Sequence, residues 1–265
     1  MILPQAAFFQ ALQDGGWGEI GETMLGRLVE LEGDVLYQEP PAGTEAELGY
    51  TEGAVPVLIS APHGAKHARF YPEQGQRKPK DEDEFTAGLA RLVAERSGAH
   101  VLWLRRKSDE DGNHDADSRY KDALKKLLQC HAIRYVLDLH GARASRDFGI
   151  ALGTSNNTSC APETQALILE TLARYGFTED GDQLQRVAVN HASFSASNPN
   201  TVTGYAARLG IQAAQFEANA HLRIPRRRED ASATEPFESA DPQGIERLVH
   251  ALTRLVQTLS ALEIL

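Results

Sequence analysis

The feature that most constrains the fold is a regular alternation of short apolar runs and amphipathic segments that begins near residue 54. The runs VPVLIS, HVLWL, IRYVLDL and IQAAQF are each long enough for one buried strand, and segments with helical spacing of apolar residues separate them. Alternating strands and helices predict a mostly parallel or mixed sheet with helices on both faces. We therefore expect an α/β chain with a three-layer αβα architecture.

Several segments carry helix signals. DSRYKDALKKLLQCH begins with Asp and Ser, which favour helix starts, and Gly98 ends the segment EDEFTAGLARLVAERSG as a C-cap glycine would. Further helices are predicted in ETQALILETLARYGF and TVTGYAARLG, and further strands in FGIALGT and RVAVN. The C-terminal segment has a single apolar stripe that predicts a long helix packed on the core, with Leu248, Leu252, Leu255, Leu259 and Leu262 on that stripe.

The first part of the chain differs from the rest. Residues 1–53 contain one short helical stretch, ETMLGRLVELEG, followed by a segment rich in proline and glycine that is typical of a surface hairpin or loop. Too few apolar residues are present there to build a second core. We therefore expect residues 1–265 to form a single catalytic domain, with 1–53 as an N-terminal extension packed on the core.

The bulk composition limits the possible partners. A formal net charge of −10 repels nucleic acid, and the triplet Arg226-Arg227-Arg228 is followed at once by acidic residues, as in a solvated loop. No apolar run is long enough to span a bilayer, and the N-terminus has no secretory pattern. Cys130 and Cys160 are the only cysteines and form no CxxC pair. We expect a cytoplasmic protein that acts on a small molecule.

Histidines follow two of the predicted strands. His63 comes after LISAP and precedes Gly64, and His140 ends the run YVLDLH. In open α/β sheets, ligands bind beyond the carboxyl ends of the strands, and neutral imidazole is a preferred ligand of zinc. Asp138 lies two residues before His140, so both point to the same face of the strand, where the carboxylate can orient an imidazole. The sequence predicts a metal site containing His63 and His140.

Carboxylates complete this prediction. A catalytic zinc usually has three protein ligands, and the acidic run Asp81–Glu84 opens a predicted helix soon after His63, where it could also simply complement the helix dipole. Glu217 interrupts the apolar strand IQAAQFEAN. A buried carboxylate there is suited to act as a general base beside a metal, although a buried salt bridge explains it equally well. His67, four residues after His63, is a lesser candidate ligand because the intervening glycine argues against a helix.

Together these motifs resemble the N-formylglutamate amidohydrolase family, which belongs to the zinc carboxypeptidase-like hydrolases. The resemblance runs from about residue 54 to 225 and rests on SAPHG, the acidic residue at a helix start, DLHG and AAQFEAN. It implies a phosphorylase/hydrolase-like fold of the zinc-peptidase type and a bound Zn²⁺. Carried over to this chain, it implies His63, Glu84 and His140 as metal ligands, with Asp83 as the alternative to Glu84, and Glu217 as the general base.

The substrate site departs from the family. The Asn-Arg pair that binds the substrate carboxylate in the family corresponds here to Asn113 and His114. A histidine cannot replace the bidentate fork of an arginine, so Arg105, Arg119 or Arg143 would have to supply it. The resemblance implies hydrolysis of an amide C–N bond in a small acylated amino acid. A metallopeptidase acting on peptidoglycan or γ-glutamyl peptides and a non-catalytic binding protein remain as alternatives.

Overall fold

A seven-stranded sheet lies at the centre of the computed structural model, which describes residues 18–262. The strands in chain order are β1 (Leu48–Thr51), β2 (Val57–Ala61), β3 (His67–Tyr71), β4 (Gln76–Lys80), β5 (His100–Leu104), β6 (Tyr135–Ala142), β7 (Ile150–Gly153), β8 (Val187–Val189) and β9 (Gln212–Asn219). The central sheet has the order β1-β5-β2-β6-β9-β7-β8, and β3 and β4 form a separate hairpin.

The sheet is mixed, with a parallel centre. Strands β5, β2, β6 and β9 run parallel to one another. At the two sides, β1 is antiparallel to β5 and β7 is antiparallel to β9, while β8 is parallel to β7. The predicted mostly parallel or mixed sheet is therefore confirmed, and the carboxyl ends of the four central strands meet at one edge.

Helices cover both faces of the sheet, which confirms the three-layer αβα prediction. The helices are α1 (Gly18–Gly33), α2 (Thr86–Ser97), α3 (Arg119–Cys130), α4 (Pro162–Ala173), α5 (Val202–Arg208) and α6 (Pro242–Ser260). On one face, α3 and α5 pack against Leu58, Val136 and Ala213. On the other, α1, α2, α4 and α6 pack against the alternate strand residues, such as Ile59 and Leu137. This alternation follows from the two-residue period of a strand.

The helix signals of the sequence correspond to the observed ends. Gly98 ends α2 in the left-handed conformation, with φ 79°, and its N–H donates to the Ala94 carbonyl at 2.8 Å. The four leucines of the α6 stripe from Leu248 to Leu259 are buried, whereas Leu262 lies beyond the helix and is 38% exposed. Within residues 18–262, no helix is long and apolar enough to cross a membrane.

Strand β1 and the hairpin β3–β4 were not predicted from the sequence. Strand β1 extends the sheet edge beside β5. The helix predicted in the first part of the chain corresponds to α1, which packs on α2, so the described part of 1–53 contacts the core. Residues 1–17 lie outside the described chain. The hairpin β3–β4 has the sequence HARFY–PEQG–QRKPK, which has no apolar alternation because most of its residues are exposed. This hairpin carries Arg69 and Lys80 to the candidate site.

Candidate active site

The predicted residues gather at the carboxyl edge of the central strands. His63 lies two residues beyond β2, His140 lies in β6, and Glu217 lies beside His140 in the β6–β9 register. Asp83 lies in the turn between β4 and α2. These four side chains line one cavity of about 380 Å³. The strand order brings together residues that are as far apart in sequence as His63 and Glu217.

Three potential metal ligands converge in this cavity. The Nδ1 atoms of His63 and His140 are 3.2 Å apart. One oxygen of Asp83 lies 3.3 Å from the first of these nitrogens and 3.4 Å from the second. Zinc bonds of about 2.0–2.2 Å in a tetrahedral site place neighbouring ligand atoms roughly 3.3–3.6 Å apart. The three separations therefore suit a zinc ion bound by His63, Asp83 and His140.

Two further carboxylates orient the imidazoles. Nε2 of His63 lies 2.9 Å from Asp111 Oδ1, and Nε2 of His140 lies 3.1 Å from Asp138 Oδ2. Because an ionised carboxylate can only accept a hydrogen bond, each Nε2 carries a proton, which leaves Nδ1 as the nitrogen that can offer a lone pair to a metal. Ser60 donates to the other oxygen of Asp138 at 3.0 Å, which holds that carboxylate in place. Such partners are a regular feature of metal-binding histidines.

The site has a surplus of negative charge that favours a cation. Burial lowers the pKa of His140, but the carboxylates of Asp138 and Asp83 outweigh burial and raise that pKa well above its ordinary value. The pKa of His63 is raised in the same way by Asp111 and Asp83 against the effect of burial. These carboxylates favour positive charge between the two imidazoles, and a divalent cation held by the two Nδ1 atoms and Asp83 would supply it.

Glu84, the sequence-predicted third ligand, does not join this group. Its carboxylate accepts from Arg227 Nε at 2.9 and 3.2 Å, and its backbone carbonyl accepts from Arg223. The register of the turn thus directs Asp83, the alternative weighed from the sequence, toward the histidines and Glu84 away from them. The prediction of a solvated basic loop is wrong for Arg227, which is half of this ion pair. Arg228 does pair locally with Asp230 at 2.7 Å, but its guanidinium also packs over the Tyr37 ring at 4.2 Å.

His67 contacts two residues of the site, His63 and Asp111. Its ring stacks on that of His63 with centroids 4.1 Å apart, and its Nε2 lies 3.4 Å from Asp111 Oδ2. His63, His67 and Asp111 could in principle hold a second ion. However, Asp111 already accepts from Arg69 Nε at 2.7 Å and from the backbone N–H groups of residues 113 and 114. The Asp111 carboxylate is therefore already supplied with donors, although His67 Nε2 has no hydrogen-bond partner of its own. The three residues form a framework that positions His63.

Glu217 is buried next to the ligand group. Burial raises the pKa of its carboxyl to about 7, while the charge of His140 opposes this shift. Gln215 Nε2 donates to Glu217 Oε1 at 3.0 Å, and no arginine or lysine pairs with it among residues 24–262. The buried salt bridge that the sequence left open is thus absent from this part of the chain. A carboxyl with a pKa near neutrality, aimed into a cavity, is suited to move a proton.

Two of the predicted substrate-binding residues line the cavity. Asn113 and His114 follow Asp111 in the loop after β5, and the side-chain oxygen of Asn113 accepts from Val202 N at 2.7 Å, which joins this loop to α5. Burial and the charge of Arg69 lower the pKa of His114, so this imidazole is neutral at pH 7. His114 therefore offers the cavity a hydrogen bond but no positive charge.

The predicted arginines lie elsewhere. Arg119 pairs with Glu47 and Glu110 at 3.0 Å, and neither it nor the exposed Arg143 lines the cavity. The cations that do line it are Arg69 and Lys80, on the hairpin that the sequence did not predict. Arg69 uses only its Nε in the contact with Asp111, which leaves the two terminal nitrogens of the guanidinium for a ligand.

The position after His63, just beyond the end of β2, requires a glycine, Gly64. A Cβ on Gly64 would lie 2.6 Å from the Leu104 carbonyl oxygen of β5. The turn after His63 therefore passes against the neighbouring strand at a distance that only glycine allows. The close contact between Gly64 and the Leu104 carbonyl explains the glycine that follows His63 at the sheet edge.

The orienting role of Asp111 can be tested directly. Replacement by asparagine removes the charge and offers His63 Nε2 an amide in place of a carboxylate, so we expect zinc affinity to fall by about 10–100-fold. Competition with a chelating dye measures this affinity. Asp147→Asn, which removes an exposed ion pair with Arg186, should leave it unchanged. Equal zinc affinity in Asp111→Asn and the parent protein would contradict the assignment.

No protein family model and no curated protein sequence matches the chain. Among solved structures, it is similar to N-formylglutamate amidohydrolase from Ralstonia eutropha JMP134, with a TM-score of 0.53 and 17% identity, covering 81% of this chain and 97% of that one. A gene product of Agrobacterium tumefaciens matches with a TM-score of 0.51 and 13% identity, covering 82% of this chain and 96% of that one. At such identities the likeness is one of fold. The chain has the fold of N-formylglutamate amidohydrolase, which confirms the resemblance seen in its sequence motifs.

Proposed function

We propose that the chain is a zinc-dependent hydrolase that cleaves the amide C–N bond of a small acylated amino acid. The observation that carries this proposal is the convergence of three lone pairs, from His63, Asp83 and His140, at 3.2–3.4 Å beside the buried carboxyl of Glu217. Asp83 takes the ligand role for which Glu84 was the first choice from the sequence. The shared fold with an amidohydrolase supports the same reaction class.

Each residue has a defined task in this reaction. A zinc ion, when bound, acts as a Lewis acid that polarises a substrate carbonyl and makes water a stronger nucleophile. Glu217 accepts a proton from the attacking water molecule and then donates it to the nitrogen of the departing amine, which leaves as a neutral group. Asp111 and Asp138 hold the two imidazoles in the tautomer that leaves both Nδ1 atoms free.

The cavity also favours a substrate class. Its volume of about 380 Å³ suits a molecule the size of an acylated amino acid. Arg69 and Lys80 give one part of the wall positive charge in a chain whose net charge is −10. Asn113 and the neutral His114 add hydrogen-bonding groups beside them. These groups are suited to hold a substrate carboxylate while its acyl carbonyl faces the metal ligands.

Assays with two groups of compounds test this function. The zinc-loaded protein is expected to hydrolyse N-formyl or N-acetyl amino acids, and chelation should abolish the reaction. Cleavage of short γ-glutamyl peptides alone would favour the peptidase alternative. A protein that binds zinc but hydrolyses neither group of compounds would contradict the proposal and favour a binding function.

The role of Arg69 gives a sharper test of the substrate class. We expect Arg69→Gln to raise KM for an N-acylated amino acid by roughly 10–100-fold, because charge-assisted hydrogen bonds contribute about 1.5–3 kcal/mol. The matching C-terminal carboxamide, which lacks the negative charge, should show little change. Arg143→Gln, at an exposed position outside the cavity, is the control and should leave both KM values unchanged. Equal losses on both substrates would show that Arg69 acts only through Asp111.

A further inference from the structure

The turn that carries Asp83 has an unusual backbone. Phe85, at the N-cap position of α2, has φ 64° and ψ 7°, in the left-handed region that a bulky residue rarely adopts. Its ring is 1% exposed, so the core fixes its position. A strained backbone of this kind persists only where the surrounding structure determines it, and such strain is often found at functional sites.

A buried carboxylate from α1 holds this turn. Glu32 is 0% exposed, and its Oε1 accepts from the backbone N–H of Phe85 at 2.9 Å and from the hydroxyl of Tyr37. Its Oε2 accepts from the N–H of Gly88 at 2.6 Å. Because the phenylalanine at the N-cap position has no polar side chain, Glu32 supplies the cap of α2 from a distant part of the sequence.

Gly88 is matched to this carboxylate. A Cβ at that position would lie 2.9 Å from Glu32 Oε2 and 3.1 Å from Glu32 Cβ. The close approach of α1 to the start of α2 is thus possible only because residue 88 has no side chain. Glycine inside the first turn of a helix otherwise costs helix stability, so the contact with Glu32 gives a physical reason for it.

Each residue of the turn is held by a different element. The Asp83 N–H donates to the His63 carbonyl at 2.8 Å, and the Glu84 carbonyl accepts from the buried Arg223. Glu32 holds the N–H of Phe85 from the opposite side. With the positions of residues 84 and 85 set in this way, the carboxylate of Asp83 faces the two histidines and that of Glu84 faces away.

We propose that Glu32 is a positioning residue for the metal site, which acts by holding the Phe85 turn so that Asp83 points at His63 and His140. It makes α1, the described helix of the N-terminal extension, part of the framework that sets metal affinity. This inference rests on the proposed metal site, since it assigns no ligand of its own. Loss of Glu32 should leave all three ligands present but allow the turn to relax.

Zinc titration of the metal-free protein tests this inference. Glu32→Ala is expected to weaken zinc binding by about 10–100-fold, the range found when groups that orient metal ligands are removed. Asp241→Ala is the matched control, because Asp241 caps α6 through the N–H of Gly244 at 2.8 Å without touching the site. Both variants lose a carboxylate cap and some stability, but only the first should lose zinc affinity.

A double-mutant cycle adds a second measurement. Gly88→Ala should displace Glu32 and weaken zinc binding alone, yet have little further effect on the Glu32→Ala background. Glu32→Gln, which keeps the side-chain volume, serves if the alanine variant does not fold. Parental zinc affinity in the folded Glu32 variant, or an equal loss in Asp241→Ala, would overturn the inference. A parent protein without zinc affinity would instead contradict the proposed function.

Discussion

Asp83→Ala is expected to weaken zinc binding by more than about 100-fold, because it removes one of three proposed ligands and not merely a group that orients one. Glu84→Gln, one residue away, should leave zinc affinity within a few fold of the parent. Its carboxylate pairs with Arg227 and is directed away from the histidines. The two variants differ at adjacent positions in the same turn, so each is the other's control.

Competition titration against a zinc-binding dye measures this difference, and circular dichroism of the metal-free proteins shows that both are folded. His63→Ala and His140→Ala should behave as Asp83→Ala does, since their Nδ1 atoms are the other two proposed ligands. Zinc affinity that survives in Asp83→Ala but is lost in Glu84→Gln would reverse the assignment. It would require the turn to change register when the ion binds.

The sequence predicted the parts of the site that depend on strands. His63 and His140 follow buried apolar runs, and Glu217 interrupts another. Their positions at one sheet edge could therefore be inferred from the two-residue period of the strands and from where the strands end. The sheet class and the helical layers followed from the same alternation. Such features are local in sequence, and a single chain is enough to detect them.

The parts that the sequence did not settle depend on contacts between distant residues. Whether Asp83 or Glu84 faces the histidines is determined by Arg227 and by the Glu32 contact with Phe85, and neither partner is near the turn in sequence. Arg69 was missed because its hairpin has no apolar alternation. One signal was available for Asp111, which precedes Asn113 by two residues and accepts hydrogen bonds from His63, Arg69 and the backbone N–H of Asn113.

Glu217→Gln is expected to reduce kcat by about 10²–10⁴-fold while zinc remains bound, because general-base catalysis contributes on this scale. The amide has the same volume as the carboxyl, so the packing of β9 is retained. Elemental analysis should therefore find the parental zinc content in an inactive protein. Asp81→Asn is the matched control, since Asp81 also lines the cavity but is 75% exposed and has only a 3.7 Å contact with Lys66. It should keep most of the turnover.

The pH profile separates a proton-transfer role for Glu217 from a purely structural one. Burial raises the pKa of Glu217 to about 7, and a bound cation would draw that pKa down by favouring the ionised form. Since the base must be ionised, kcat/KM should rise with pH along an acid limb that lies below about pH 7. This limb should be missing from the residual activity of Glu217→Gln. An unchanged acid limb in that variant would place the base on another residue, because an amide has no proton to titrate in this range.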